Sequence, residues 1–194
     1  YQFSYLCAKI VDRKSSYTAQ HSQRIAAIAA ALGRLFKMDE QDVFFLEIAG
    51  LLHDLGKLAV PEQILMKNGK LSHTEYRIMK QHTYYTYCLI DRLKIMDKVR
   101  DWAAFHHERL DGSGYPFHLK GDRLDLGARI MAVADIAGAL TEDRPYRPGY
   151  GKKETMDILR EQVNNNLIDG DVVEVLGKYF DEIINNQEKV ESIV

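Results

Sequence analysis

The chain has 194 residues, 46% hydrophobic and 28% charged, which suits one large globular domain or two small ones with a sizeable core. A formal charge of -2 and a pI near 6.4 give no support to bulk binding of DNA or membranes, although a local basic patch for a small phosphorylated ligand remains open. Cys7 and Cys88 form no motif and fit a reducing, cytoplasmic setting, and no apolar run approaches the ~20 residues of a membrane span. No signal peptide is visible, and an opening without Met reads as a piece of a longer protein, with an upstream sensory, receiver or membrane part outside it.

Residues 1–13 place Phe3, Leu6 and Ile10 at helical spacing, so a helix is expected there. It falls in a segment, 1–16, that reads as the end of a connector, with the main domain at 17–190. A homodimer through this helix stays open, because three apolar positions do not establish a coiled coil. Residues 18–36 are alanine-rich, with Ile25, Ile28, Ala29, Leu32 and Leu35 on one face of a second helix. Asp39 can cap a third, through VFFLEIAGLL to His53, apolar nearly all round and so expected at the centre. Gly56 ends it. A short helix at 61–66 and a turn at 67–70 follow. Ser72 and Glu75 form a capping box for a helix through Tyr76, Met79 and His82, with a second short helix at 88–93. Asp97 can cap a helix over 99–108 that carries His106 and His107 in its last turn. A glycine-bearing loop at 109–125 leads to an apolar helix at 126–140, the loop TEDRPYRPGYG, and amphipathic helices at 155–163 and 172–184. No alternating strand pattern, repeat or splitting linker appears, so the fold class is all-α, a single helical bundle.

The chemistry concentrates in a few residues. His53 and Asp54, adjacent at the end of an apolar run, offer a nitrogen and a carboxylate for one transition metal. The alternative is a helix end with a dipole-paired His and a solvated Asp. Lys57, three residues on, can balance a carboxylate or face a substrate phosphate. His106 and His107 can serve two neighbouring ions or be one structural and one exposed histidine, and Glu108 can orient either ring. Asp135, inside MAVADIAGAL, needs a partner: a metal, or Arg129 or Arg24. His82 adds a ligand or a structural helix histidine; His21 is a further candidate; His73 and His118 read as ordinary surface residues. Gly114, Tyr115 and Pro116, within DGSGYP, suit close approach to a ligand or a plain turn. Arg144 and Arg147 suit phosphate or guanine, or a solvated surface.

Together these motifs resemble the HD-GYP domains, a branch of the HD metal-dependent phosphohydrolases. The match is HDLGK at 53–57, the histidine of MKQH at 82, HHERLDGSGYP at 106–116, AD at 134–135 and RPYR at 144–147. The resemblance implies an HD-type helical bundle and a hydrolase, a phosphodiesterase cutting the bacterial second messenger cyclic di-GMP to pGpG, with a second cut to GMP left open. It implies a binuclear metal site, in some members three ions, usually iron or manganese. Carried residue by residue, the ligands are His53, Asp54, His82, His106, His107 and Asp135, with Asp54 bridging. Lys57 lies against the substrate phosphate, Arg144 and Arg147 contact the nucleotide, and Gly114, Tyr115 and Pro116 shape the cleft. Two ions about 3.5–4 Å apart can hold and activate a hydroxide for in-line attack on phosphorus. A diguanylate cyclase is a further partner.

Three departures stand out. Tyr17 replaces the glutamate that accompanies a third metal, so two ions are expected. Gly138 replaces the second Asp of ADxxDALT, so a supporting carboxylate is lost and Gly138→Asp is expected to raise metal occupancy. Thr86 replaces a glycine and is expected to tighten helix packing. Gly138 keeps a weak or inactive cyclic di-GMP-binding module open as an alternative, and the HD pair alone admits another nucleotide substrate.

Overall fold

The computed structural model describes residues 1–14, 20–94, 96–143 and 148–185. Among them the chain is all-α, with ten helices and no strand: α1 (Gln2–Lys14), α2 (His21–Leu35), α3 (Glu40–Leu52), α4 (Glu62–Leu65), α5 (His73–Asp91), α6 (Asp97–Ala104), α7 (Leu126–Thr141), α8 (Lys152–Asn164), α9 (Gly170–Lys178) and α10 (Phe180–Asn185). Short 3-10 turns follow α3 and precede α7.

Helices α2, α3 and α7 form the centre. Their Ile25, Ile28, Leu32, Leu46, Ile48, Ile130, Met131 and Val133 are buried in one continuous apolar core. Near its C-terminal end α3 lies close to α2, where a Cβ on Gly50 would fall 2.5 Å from Ala26 Cα. Caps match several sequence signals. Asp39 accepts from Asp42 N, and Ser72 and Glu75 form the expected capping box. Asp125 caps α7 through Ala128 N and also accepts from the indole of the buried Trp102.

The expected 1–13 helix forms, with Phe3, Leu6 and Ile10 facing solvent and Ala8 and Val11 buried, because small Ala8 lets α1 lie against Ala26 and Leu51. Three expectations change. One helix, α5, replaces the expected pair: Thr83 and Thr86 turn inward, where their hydroxyls are satisfied by Lys80 O and His53 O. Helix α6 stops at Ala104, so His106 and His107 lie in the turn beyond it, and Asp97 is the first residue of the helix rather than its cap. The C-terminal helix breaks at Tyr179, which redirects Phe180, Ile183 and Ile184 into the core.

Helix α1 joins the body through a buried carboxylate. Asp12 accepts from Ser22 N (3.2 Å) and Ser22 Oγ (2.6 Å) at the start of α2, whose own Gln20 makes no side-chain cap.

Candidate metal centre

Helix α3 delivers His53 and Asp54 at its C-terminal end, where the chain tightens into the 3-10 turn Leu55–Ala59. That turn meets α5 closely enough that a Cβ on Gly56 would fall 1.9 Å from His82 O. Thr86 fastens the same joint, donating to His53 O (3.0 Å) and accepting from Gly56 N (2.9 Å).

Three imidazoles share one orientation. His53, His82 and His106 each hold Nδ1 against the carbonyl three residues back, at Gly50 (2.7 Å), Met79 (2.8 Å) and Ala103 (2.7 Å). With Nδ1 donating, Nε2 is left to face the site. His82 and His106 meet Nε2 to Nε2 at 3.5 Å. His53 Nε2 is buried without a hydrogen bond, 3.3 Å from Asp54 Oδ2 and 3.8 Å from Asp135 Oδ1. The ring of His107 lies 4.2 Å from that of His106, and its Nδ1 is 3.7 Å from Asp135 Oδ2.

The donors fall into two groups, His82 with His106 and His107, and His21 with His53 and Asp54. Two carboxylates join them. Asp54 sets Oδ2 toward His53 and Oδ1 3.4 Å from His82 Nε2, while Asp135 sets one oxygen toward His53 and the other toward His107. Lys57 Nζ lies 2.5 Å from Asp54 Oδ2, so the lysine balances the carboxylate. Among the described residues Asp135 pairs with no arginine: Arg129 bonds Asp169 and two carbonyls, and Arg24 bonds Thr141.

Burial sets the protonation states. It pushes His82 down to about 4 and His106 to about 3, the latter helped by His53, and it holds His107 well below the usual range with His106 adding to the effect. These three are neutral at pH 7 and present lone pairs. Burial also lowers His53, but Asp54 and Asp135 outweigh it and raise the ring to about 9. Burial would raise Asp54, yet Lys57 and His53 hold it well below the carboxylate range. A buried nitrogen that makes no hydrogen bond, two nitrogens aimed at each other and two carboxylates that join the clusters suit divalent transition metals, so the six residues fit such ions.

The remaining expectations divide. Glu108 orients neither histidine; its buried carboxylate accepts from Phe117 N (2.7 Å) and Leu119 N (3.0 Å) and staples the loop. The loop returns to the site through Tyr115 N, which donates to His107 O (3.1 Å), and through the Tyr115 ring, 4.9 Å from that of His107. Gly114 lies flush on the backbone, since a Cβ there would fall 2.4 Å from Glu108 Cα. Pro116 follows Tyr115 through a cis peptide bond. Gly138 faces no ligand: a Cβ would fall 2.2 Å from Ile25 Cδ1, so the expectation that Gly138→Asp aids the site meets a steric obstacle. Tyr17, Arg144 and Arg147 lie outside the described residues. His73 and His118 are exposed, as expected.

Sequence reasoning missed Glu142, whose buried carboxylate lies 2.9 Å from His21 Nδ1, beside His53 and Asp54. The available signal was its place one helical turn after Gly138. Asp12 was also missed, as an acid in a helix judged peripheral.

An HD domain family model matches residues 5–172. The chain belongs to the HD domain family. Its motifs, relatives and fold place it in the HD-GYP branch. The 3'3'-cGAMP-specific phosphodiesterase 1 of Vibrio cholerae is 40% identical over 184 residues, 95% of this chain and 41% of that protein. The cyclic di-GMP phosphodiesterase PA4108 of Pseudomonas aeruginosa is 40% identical over 146 residues, 75% of this chain and 35% of that protein. The chain therefore spans less than half the length of either relative. Among solved structures, Bd1817, an HDG"Y"P protein from Bdellovibrio bacteriovorus, shares the fold, with a TM-score of 0.68 at 20% identity over 83% of this chain and 51% of that one. No described helix is long and apolar enough to cross a membrane.

Proposed function

We propose that the chain is the hydrolytic domain of a metal-dependent phosphodiesterase acting on a guanine-containing 3′,3′-cyclic dinucleotide, with cyclic di-GMP as the first substrate to test. The observation that carries the reading is the pair of histidine clusters joined by Asp54 and Asp135, whose oxygens are divided between them. Equal identity to a cyclic di-GMP and a 3'3'-cGAMP phosphodiesterase supports the substrate class and leaves the second base open.

His53, Asp54, His82, His106, His107 and Asp135 would hold two divalent ions, iron or manganese. Such ions supply activated water at neutral pH and offset charge on the phosphoryl oxygens. Asp54 and Asp135 orient the centre, and the buried Lys57 adds a positive charge beside it. Tyr115 closes one side against His107, and the stapled loop keeps its ring in place. In this reading Arg144 and Arg147 contact the nucleotide. The product is linear pGpG or its mixed-base counterpart.

The test is turnover of cyclic di-GMP and 3′,3′-cGAMP by anaerobically purified protein, with metals counted in the same sample. About two ions per chain with linear product is the expected result, and His53→Ala should lose both metal and turnover. Two ions with no product from either dinucleotide would overturn the hydrolysis reading.

A further inference from the structure

Helix α5 has two chemical faces. Its inner face carries buried His82, Thr83, Thr86 and Ile90. Its outer face carries Arg77, Lys80, Gln81 and Tyr84, at the i, i+3, i+4, i+7 spacing of a single stripe. Such spacing usually marks a buried apolar seam, but these side chains are polar, cationic or aromatic and none is buried. Between this stripe and the loop at Tyr115, Pro116 and His118 lies a cavity of about 390 Å³.

The cavity adjoins the metal centre at the Tyr115 ring. Tyr115 lies against His107 and also lines the cavity, where Lys80 Nζ stands 5.4 Å from its centroid. Among the described residues two cations, three tyrosines and no carboxylate line the space. Among the described residues neither Arg77 nor Lys80 forms a salt bridge, and Lys80 Nζ meets only aromatic faces, those of Tyr76 and Tyr115, each at 5.4 Å. Unspent positive charge beside aromatic faces is the chemistry that receives a phosphate with its base. The volume is at the low end for small-molecule pockets, enough for a nucleotide-sized group.

We infer that this outer face of α5 is a second subsite, which holds the nucleotide half of the substrate that is not being cut. The inference rests on the cyclic dinucleotide reading and deepens it. A cyclic dinucleotide has two phosphates on opposite sides of one ring. With one at the metal centre, the other must find a separate anchor. Lys80 and Arg77 take that phosphate, and Tyr84 and Tyr115 offer faces to its base.

The test is binding of cyclic di-GMP by isothermal titration calorimetry, on metal-free and metal-loaded protein. Wild type is compared with the double variant Arg77→Ala/Lys80→Ala and with the control Arg92→Ala/Arg123→Ala, exposed cations that do not line the cavity. The expected result is affinity weaker by about tenfold or more in the first variant, less than about twofold in the control, and unchanged metal content in both. Equal affinity in wild type and the Arg77→Ala/Lys80→Ala variant overturns the subsite. So does equal weakening in the control, which would leave only diffuse charge. Wild type that binds with this dependence but does not cut sinks the hydrolysis reading and keeps the subsite. Wild type that does not bind sinks both.

Discussion

The space beside Gly138 is already occupied. The motif pattern asks for a carboxylate three residues after Asp135. The structure fills that space with Ile25 Cδ1, 2.2 Å from where a Cβ would stand, and with Ile28 Cδ1 at 3.6 Å. Gly138→Asp would drive a charge into an apolar contact between α2 and α7, so it should destabilise the fold by roughly 1–3 kcal/mol. Thermal melts of metal-free protein check this, and Ile25→Ala in the same chain should recover part of the loss. A melting temperature unchanged by Gly138→Asp would show that Ile25 yields freely. The missing carboxylate has a counterpart one turn on, where Glu142 pairs with His21. Thr86 gives a second prediction at this scale. Its hydroxyl satisfies Gly56 N and His53 O in a fully buried joint. Thr86→Val keeps the shape and orphans both groups, at a cost of about 1–3 kcal/mol in unfolding free energy, measurable by denaturant titration.

Among the elements, the loop after His107 shows how much could be read in advance. Its glycines and proline marked it as irregular, and DGSGYP placed Tyr115 near the site. Its means of attachment was not legible, because a glutamate beside two histidines reads as their partner. Only the fold reveals that Glu108 turns away to meet Phe117 N and Leu119 N. The early end of α6 has the same origin, since the chain must leave the helix for Tyr115 N to reach His107 O. For α1 the period was legible, but which face packs on the body was not, because Ala8 and Asp12 carry weaker apolar signals than Phe3 and Leu6. Helix positions and the capping box were legible because local periodicity encodes them, and the motifs named six candidate ligands that the fold brings together. Pairings between distant segments, such as His21 with Glu142, depend on packing that no window contains. The loop staple carries its own prediction. Glu108→Ala should release residues 109–119 while leaving α2, α3 and α7 protected, so backbone hydrogen exchange should rise in that loop first. Uniform acceleration across the core would mean that Glu108 supports the whole domain instead.

For the whole molecule, the buried histidines tie stability to pH, and their opposite shifts give the dependence a shape. His53 binds its proton more tightly folded than unfolded, with a folded pKa of about 9 against an ordinary value of 6.5. The stability it lends is therefore complete below about pH 6.5 and is lost as pH rises toward about 9. His82, His106 and His107 behave the other way, because burial lowers all three. Below about pH 6.5 the unfolded chain takes up protons that these folded rings refuse, so stability falls again. Metal-free protein should thus melt highest near pH 6–7. The acid side should be the steeper, with three rings acting against one, although ordinary carboxylates also contribute there. The alkaline side is the sharper test, since His53 is the group whose shift spans pH 7 to 9. Ions held by the six donors would supply the positive charge that the His53 proton otherwise supplies and would relieve the meeting of His82 and His106 nitrogens. Metal-loaded protein should then melt higher, and its melting temperature should stay nearly level from pH 7 to 9. Melting curves from pH 5 to 9.5, for chelator-stripped and reloaded samples, separate the cases. A stripped protein that grows more stable from pH 7 to 9 would mean that Asp54 and Asp135 do not hold a charged His53 between them, and the two-cluster arrangement would lose its electrostatic basis.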